Sequence, residues 1–144
     1  MDRYIPEPTY DIAYMFREIL VPFDGQEHSI KALKVALDFS LRYGSKVTVL
    51  YVKGLKESMK NAEGILEKAV KLAKNKDVEI QVKVREVEGE GDTIANQILK
   101  EVNEEMYDAV IIASRGKTCA DALIFSSTTV PVALCAPCTV MIVR

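Results

Sequence analysis

Histidine occurs once among these 144 residues, at position 28, and cysteine three times. With no histidine beside a nucleophile, nothing supports a Ser-His or Cys-His hydrolase, and His28 reads as a surface residue at a helix start. Cys135 and Cys138 form a Cys-x-x-Cys, yet no second Cys or His pair completes a zinc site. Three cysteines are too few for a disulfide framework, and an odd number fits a reducing compartment. An excess of charge is also missing: 19 basic against 21 acidic residues leave a net −2. That balance gives no footprint for nucleic acid or an anionic membrane. No apolar run approaches the roughly 18 residues that span a bilayer, and the opening MDRYIPEPTYDIAYMFR lacks the apolar core of a signal peptide. The expected location is the cytoplasm, and the length suits one domain.

What is present is a regular alternation. Residues 1–14, with Pro6, Pro8 and isolated tyrosines, read as an extension, and residues 15–144 as the domain. EILVPFD is a buried strand, Ser29 to Tyr43 has helical spacing ended by Gly44, and Lys46 to Val52 (KVTVLYV) is a second buried strand. Leu55 to Asn75 follows as a long amphipathic helix. Val78 to Val87 alternates apolar and polar residues, which predicts a half-buried strand at the sheet's edge. Thr93 to Met106 repeats the helical period, and DAVIIAS (Asp108 to Ser114) is a fourth buried strand. Ser126 to Cys135 predicts a last helix, kinked or delayed by Pro131, before the final strand TVMIVR. This βαβαβαβαβ order requires an open, doubly wound, mostly parallel sheet with helices on both faces, a Rossmann-like α/β fold.

Chemistry concentrates at the carboxyl ends of strands one and four, where open α/β sheets bind ligands. VPFDG places Asp24 at the first strand's tip, where it either accepts from a ribose or base, holds a metal, or satisfies amides in the turn. After strand four, the amides of Arg115, Gly116 and Lys117, the Lys117 ammonium, and the hydroxyls of Ser114 and Thr118 offer a phosphate cradle. Ser126 and Ser127 add donors at the start of the last helix. Taken singly, Lys117 also reads as a solvated loop lysine and each serine as an ordinary cap. A Walker ATPase is excluded, because Ile111 stands where that loop needs glycine. The Cys135–Cys138 pair precedes a strand at a helix's carboxyl end, where the dipole has the wrong sign to activate a thiol, so both read as small buried apolar residues. Cys119, in the loop, is the more exposed thiol expected.

ILVPFDG, VTVLYV, EGEGDTIANQI, DAVIIASRGKT and APCTVMIVR, in that order from Arg17 to Arg144, resemble the universal stress protein family. The resemblance implies strand order 3-2-1-4-5, a homodimer through the C-terminal strand, and a signalling protein as further partner. It also implies, for one subset, binding of ATP or a related adenine nucleotide, with or without magnesium, through Gly-x-x-Gly-x9-Gly-Ser/Thr. Here that pattern falls on Ala113, Gly116, Ser126 and Ser127, so two glycines are replaced by small residues. Pro22, Asp24, Val52, Ile112 and Lys117 complete the implied binding set, with Val52 beside the adenine. No catalytic residue is implied, and ATP hydrolysis would be weak at most. Three readings follow: a regulatory nucleotide-binding stress protein, a dimeric interaction module with an empty degenerate pocket, and a thiol redox protein using Cys135 and Cys138.

Overall fold

The computed structural model describes residues 13–114 and 128–144. Its first strand, β1 (Glu18–Pro22), has Ile19, Leu20 and Val21 without any exposed surface, as a strand covered on both faces must. Residues i and i+2 then share a face: Ile19 and Val21 join one apolar cluster, and Leu20 joins the other. Helix α1 (Glu27–Tyr43) starts two residues ahead of its sequence expectation and ends where Gly44 takes φ +73°. Glycine tolerates that left-handed conformation, and its N–H caps the Ser40 carbonyl.

Strand β2 (Lys46–Lys53) pairs with β1 from Lys46 through Leu50. Helix α2 (Met59–Asn75) begins later than Leu55, because Ser58 accepts from the Asn61 N–H and sets the N-terminus there. Residues 54–57 instead form a turn closed by Glu57, whose carboxylate accepts from the Gly54 N–H at 3.1 Å.

Strand β3 (Ile80–Glu86) ends the sheet on one side, yet its polar residues are not simply solvated. Lys83 and Arg85 are drawn down to Glu101 at 2.8 and 2.9 Å, whereas Val82 is 43% exposed. The strict alternation in sequence therefore does not become alternate burial. Glu101 lies on α3 (Ile94–Glu105), which leads through a turn into β4 (Ala109–Ala113). Helix α4 (Thr129–Cys135) is shorter than the predicted 126–135, and Ser126 and Ser127 lie outside the described residues. Pro131 falls in its first turn, where a missing N–H costs no helical hydrogen bond. Strand β5 (Thr139–Val143) completes a five-stranded sheet ordered β3-β2-β1-β4-β5, with every pairing parallel.

The helices α1 and α2 cover one face through Ala32, Leu33, Leu66 and Ala69. The other face carries α3 and α4 through Ala95, Ile98, Val102 and Val132. Among the described residues, no helix is long and apolar enough to cross a membrane.

Candidate functional site

The strand order reverses direction between β1 and β4, and that is where the sheet opens. Ile19 pairs with Ala109 and Leu20 with Val110, and the pairing goes no further. On its other side β1 stays with β2, the Phe23 N–H donating to Leu50 O at 2.9 Å. The two central strands thus part toward their carboxyl ends, leaving a cavity of about 270 Å³. This is the topological switch point, the usual ligand crevice of a doubly wound sheet.

Five residues singled out in the sequence line this cavity: Pro22, Asp24, Val52, Ile112 and Ala113. Gly116, Lys117, Ser126 and Ser127 lie outside the described residues, as does Cys119. The apolar floor comes from Leu50, Val52 and Ile112, with Ile94 and Ile98 reaching in from α3. Thr129 stands at the α4 end, its hydroxyl donating to the Ala113 carbonyl at 2.8 Å.

Asp24 is the organising group of the β1–α1 turn. Its Oδ1 accepts from the Gln26 N–H at 2.9 Å and from the Ser29 hydroxyl at 2.8 Å. Its Oδ2 lies 3.1 Å from His28 Nε2. The turn role and the pocket position therefore coexist in one carboxylate. Gly25 makes the turn possible: its φ is +81°, and a Cβ there would sit 3.3 Å from Ile65 Cγ2.

Sequence reasoning placed His28 on the surface, but it lines the cavity with its side chain only 22% exposed. The available signal was the i, i+4 spacing of Asp24 and His28 across the helix start. Ser29 and Tyr51 were also missed. Tyr51 donates its hydroxyl to Glu57 Oε2 at 2.5 Å, which ties the 54–57 turn to the cavity wall. Burial, and then that bond, push the Tyr51 hydroxyl pKa well up, so it stays protonated. Burial alone would raise the Glu57 carboxyl, but donors from Tyr51, Gly54 and Asn61 outweigh it and hold the pKa down.

Among the described residues, no group of three or more His, Cys, Asp or Glu could hold a metal ion. The one carboxylate lining the cavity already accepts from Gln26 and Ser29, so the described walls do not fit a protein-held metal centre. Cys135 is exposed rather than buried, and Cys138 is half-buried; both are free thiols. The exposure of Cys135 corrects the expectation of burial, because the last turn of a seven-residue helix leaves that position facing outward. Burial, with Asp108 adding to it, pushes the Cys138 thiol up, the reverse of what a redox centre needs.

The sequence profile of the universal stress protein family matches residues 15–144. The chain belongs to the universal stress protein family. A universal stress protein of Methanocaldococcus jannaschii is 26% identical over 141 residues, covering 90% of this chain and 83% of that one. Among solved structures, a universal stress protein in complex with cAMP superposes with a TM-score of 0.74 at 17% identity, covering 89% of this chain and 96% of the other. The universal stress protein of Archaeoglobus fulgidus in complex with dAMP gives 0.70 at 18% identity, covering 90% and 99%. At such identities the superpositions establish a shared Rossmann-like fold.

Proposed function

We propose that this universal stress protein is a small cytoplasmic regulator of the stress response that binds an adenine nucleotide in the crevice between β1 and β4. The observation that carries the reading is the parting of β1 from β4 after Leu20 and Val110, which opens an apolar-floored cavity beside Asp24. A cavity of about 270 Å³ suits a nucleoside. It lies just below the roughly 300–1,000 Å³ range of ligand pockets. In this reading Pro22, Val52 and Ile112 hold the base, Asp24 accepts from the ribose, and Ala113 with Gly116, Lys117, Ser126 and Ser127 takes the phosphates. Support comes from relatives of the same fold solved with cAMP and with dAMP. Any magnesium accompanying ATP would ride on the phosphates. Binding acts as a signal, with hydrolysis slow or absent.

A ligand selective for the folded protein raises its melting temperature; at 100 times Kd the gain is about 2.7 kcal/mol. ATP or AMP at millimolar concentration should therefore shift the melt upward, and no shift with either would remove the reading. A second reading, an interaction module with an empty pocket, is favoured by Ala113, which lines the crevice at a position where the family pattern has glycine. It expects no ligand shift in the parent and a shift in the variant carrying Ala113→Gly with Ser126→Gly.

The same proposal includes a homodimer through β5. That strand ends the described sheet, and its Ile142 is 44% exposed. An unpaired strand edge of this kind invites pairing with a second chain.

A further inference from the structure

The outer edge of β3 carries no further strand among the described residues, and a groove of about 290 Å³ runs beside it against α2. Its apolar lining is Met59, Leu66 and Val70 from the helix and Val82 and Val84 from the strand. Met59 is 49% exposed and Val82 43%, so this apolar surface reaches solvent. Edge strands are commonly guarded by charged side chains. Here the cations of β3 are turned away, because Lys83 and Arg85 bind Glu101 of α3 on the opposite face of the sheet. Among the described residues, the charged ones that line the groove are Glu63 and Glu67, both exposed. They stand four residues apart on α2, a like-charged spacing that works against the helix. Neither forms an ion pair with a described residue, although Lys60 and Lys71 lie on the same helix three and four residues from them.

We propose that this groove docks an extended segment of a partner protein, added as a strand beside β3 and carrying lysine or arginine at alternate positions between aliphatic residues. Alternate residues of a strand lie about 6.6–6.8 Å apart, and four residues of helix rise about 6 Å. Two basic side chains on one face of the added strand thus match the spacing of Glu63 and Glu67. Their methylene stems lie on Val82 and Val84 while the cations reach the carboxylates. Flanking aliphatic residues cover Met59 and Val70. Main-chain hydrogen bonds to the β3 edge supply affinity, and the alternate side chains supply specificity. A second copy of this chain is the poorer occupant, because a two-fold pairing along β3 brings each protomer's Glu63 and Glu67 toward the same pair in the other. The groove shares no lining residue with the β1–β4 crevice, so the docking needs no nucleotide.

The probe is a capped peptide, Val-Thr-Lys-Thr-Lys-Thr-Val, with the same peptide bearing glutamate for both lysines as its control. Titrated to millimolar concentration into the isotopically labelled full chain, the lysine peptide should give saturable amide shifts centred on residues 59–70 and 81–85. The glutamate peptide should leave those resonances unmoved. Raising salt from about 0.05 to 0.5 M should weaken binding about threefold or more, because exposed ion pairs are screened. Those readouts need no variant. Charge reversal by Glu63→Lys with Glu67→Lys changes two exposed side chains, and it should lower affinity for the lysine peptide about tenfold while creating affinity for the glutamate peptide. If the lysine peptide gives no saturable shift, or if charge reversal leaves its affinity unchanged, the docking is overturned. If the same amides shift when the protein alone is diluted, a second copy fills the groove, and the docking is overturned as well.

Discussion

Asp24 joins the local structure to the site, because the oxygens that fold the β1–α1 turn belong to a group that faces the cavity. Removing it takes the acceptor from the Gln26 N–H and leaves the Ser29 hydroxyl the Gln26 carbonyl alone, at 3.0 Å. Asp24→Ala should therefore lower stability in urea unfolding by about 1–2 kcal/mol, two hydrogen bonds lost at roughly 0.5–1.5 kcal/mol each. Nucleotide binding should be lost in the same variant; a variant of parental stability would show that the turn does not depend on this carboxylate. Gly25→Ala tests the backbone alone. At φ +81°, and with Ile65 at 3.3 Å from the new Cβ, it should cost about 1–2 kcal/mol. The same substitution at Gly64, mid-helix and with nothing within 4 Å of its Cβ position, should instead be stabilising by about 0.5–1 kcal/mol. Thermal melts of the two variants should move in opposite directions.

The strands and helices were legible because period and burial agree: Ile19 to Val21 and Ala109 to Ala113 are apolar runs, and both strands are covered on both faces. The ion pairs between β3 and α3 were not, since Lys83 and Arg85 meet Glu101 only through the fold. Glu101 has no exposed surface and accepts from Lys83, Arg85 and the Tyr107 hydroxyl at 2.8, 2.9 and 2.8 Å. A charge period on a strand reads as solvent unless the buried carboxylate is known. His28 was hidden for a related reason: its i, i+4 spacing to Asp24 stands in the sequence, but only the turn geometry carries the imidazole into the cavity wall. The β3–α3 network continues through Gln97, which accepts from Arg85 at 2.9 Å and donates to Asp92 at 2.6 Å, fixing the turn that delivers Ile94 to the cavity. Glu101→Ala should remove the carboxylate that Lys83 and Arg85 share, leaving them Glu105 at 3.9 Å and Glu104 at 3.1 Å, and lower stability by about 1.5–3 kcal/mol. Burial would raise the Glu101 carboxyl, but Lys83, Tyr107 and Arg85 outweigh it and hold the pKa below the usual range. Asp92, chiefly through Gln97, is lowered from 3.8 to about 2. Groups depressed in the folded state stabilise it above their unfolded pKa and cease to as pH falls through the folded one. For Asp92 that loss spans 3.8 down to about 2, so the urea midpoint should hold steady to about pH 4 and then fall. A midpoint unchanged across that window would contradict the network's ionised state.

Among the described residues, one five-stranded sheet with helices on both faces has its switch-point crevice between β1 and β4 and its two flanks at β3 and β5. The β5 flank is where pairing with a second copy is proposed. Ile142→Asp should shift the sedimentation coefficient from dimer to monomer at micromolar concentration, and a parent already monomeric would remove the dimer. The crevice is where nucleotide binding is proposed. Its most direct test is an AMP titration followed through backbone amide resonances of isotopically labelled protein. Saturable shifts centred on Asp24, His28, Val52, Ile112 and Ala113 are expected. Unchanged resonances at millimolar AMP, or shifts centred instead on the Met59 and Val82 groove between α2 and β3, would contradict it.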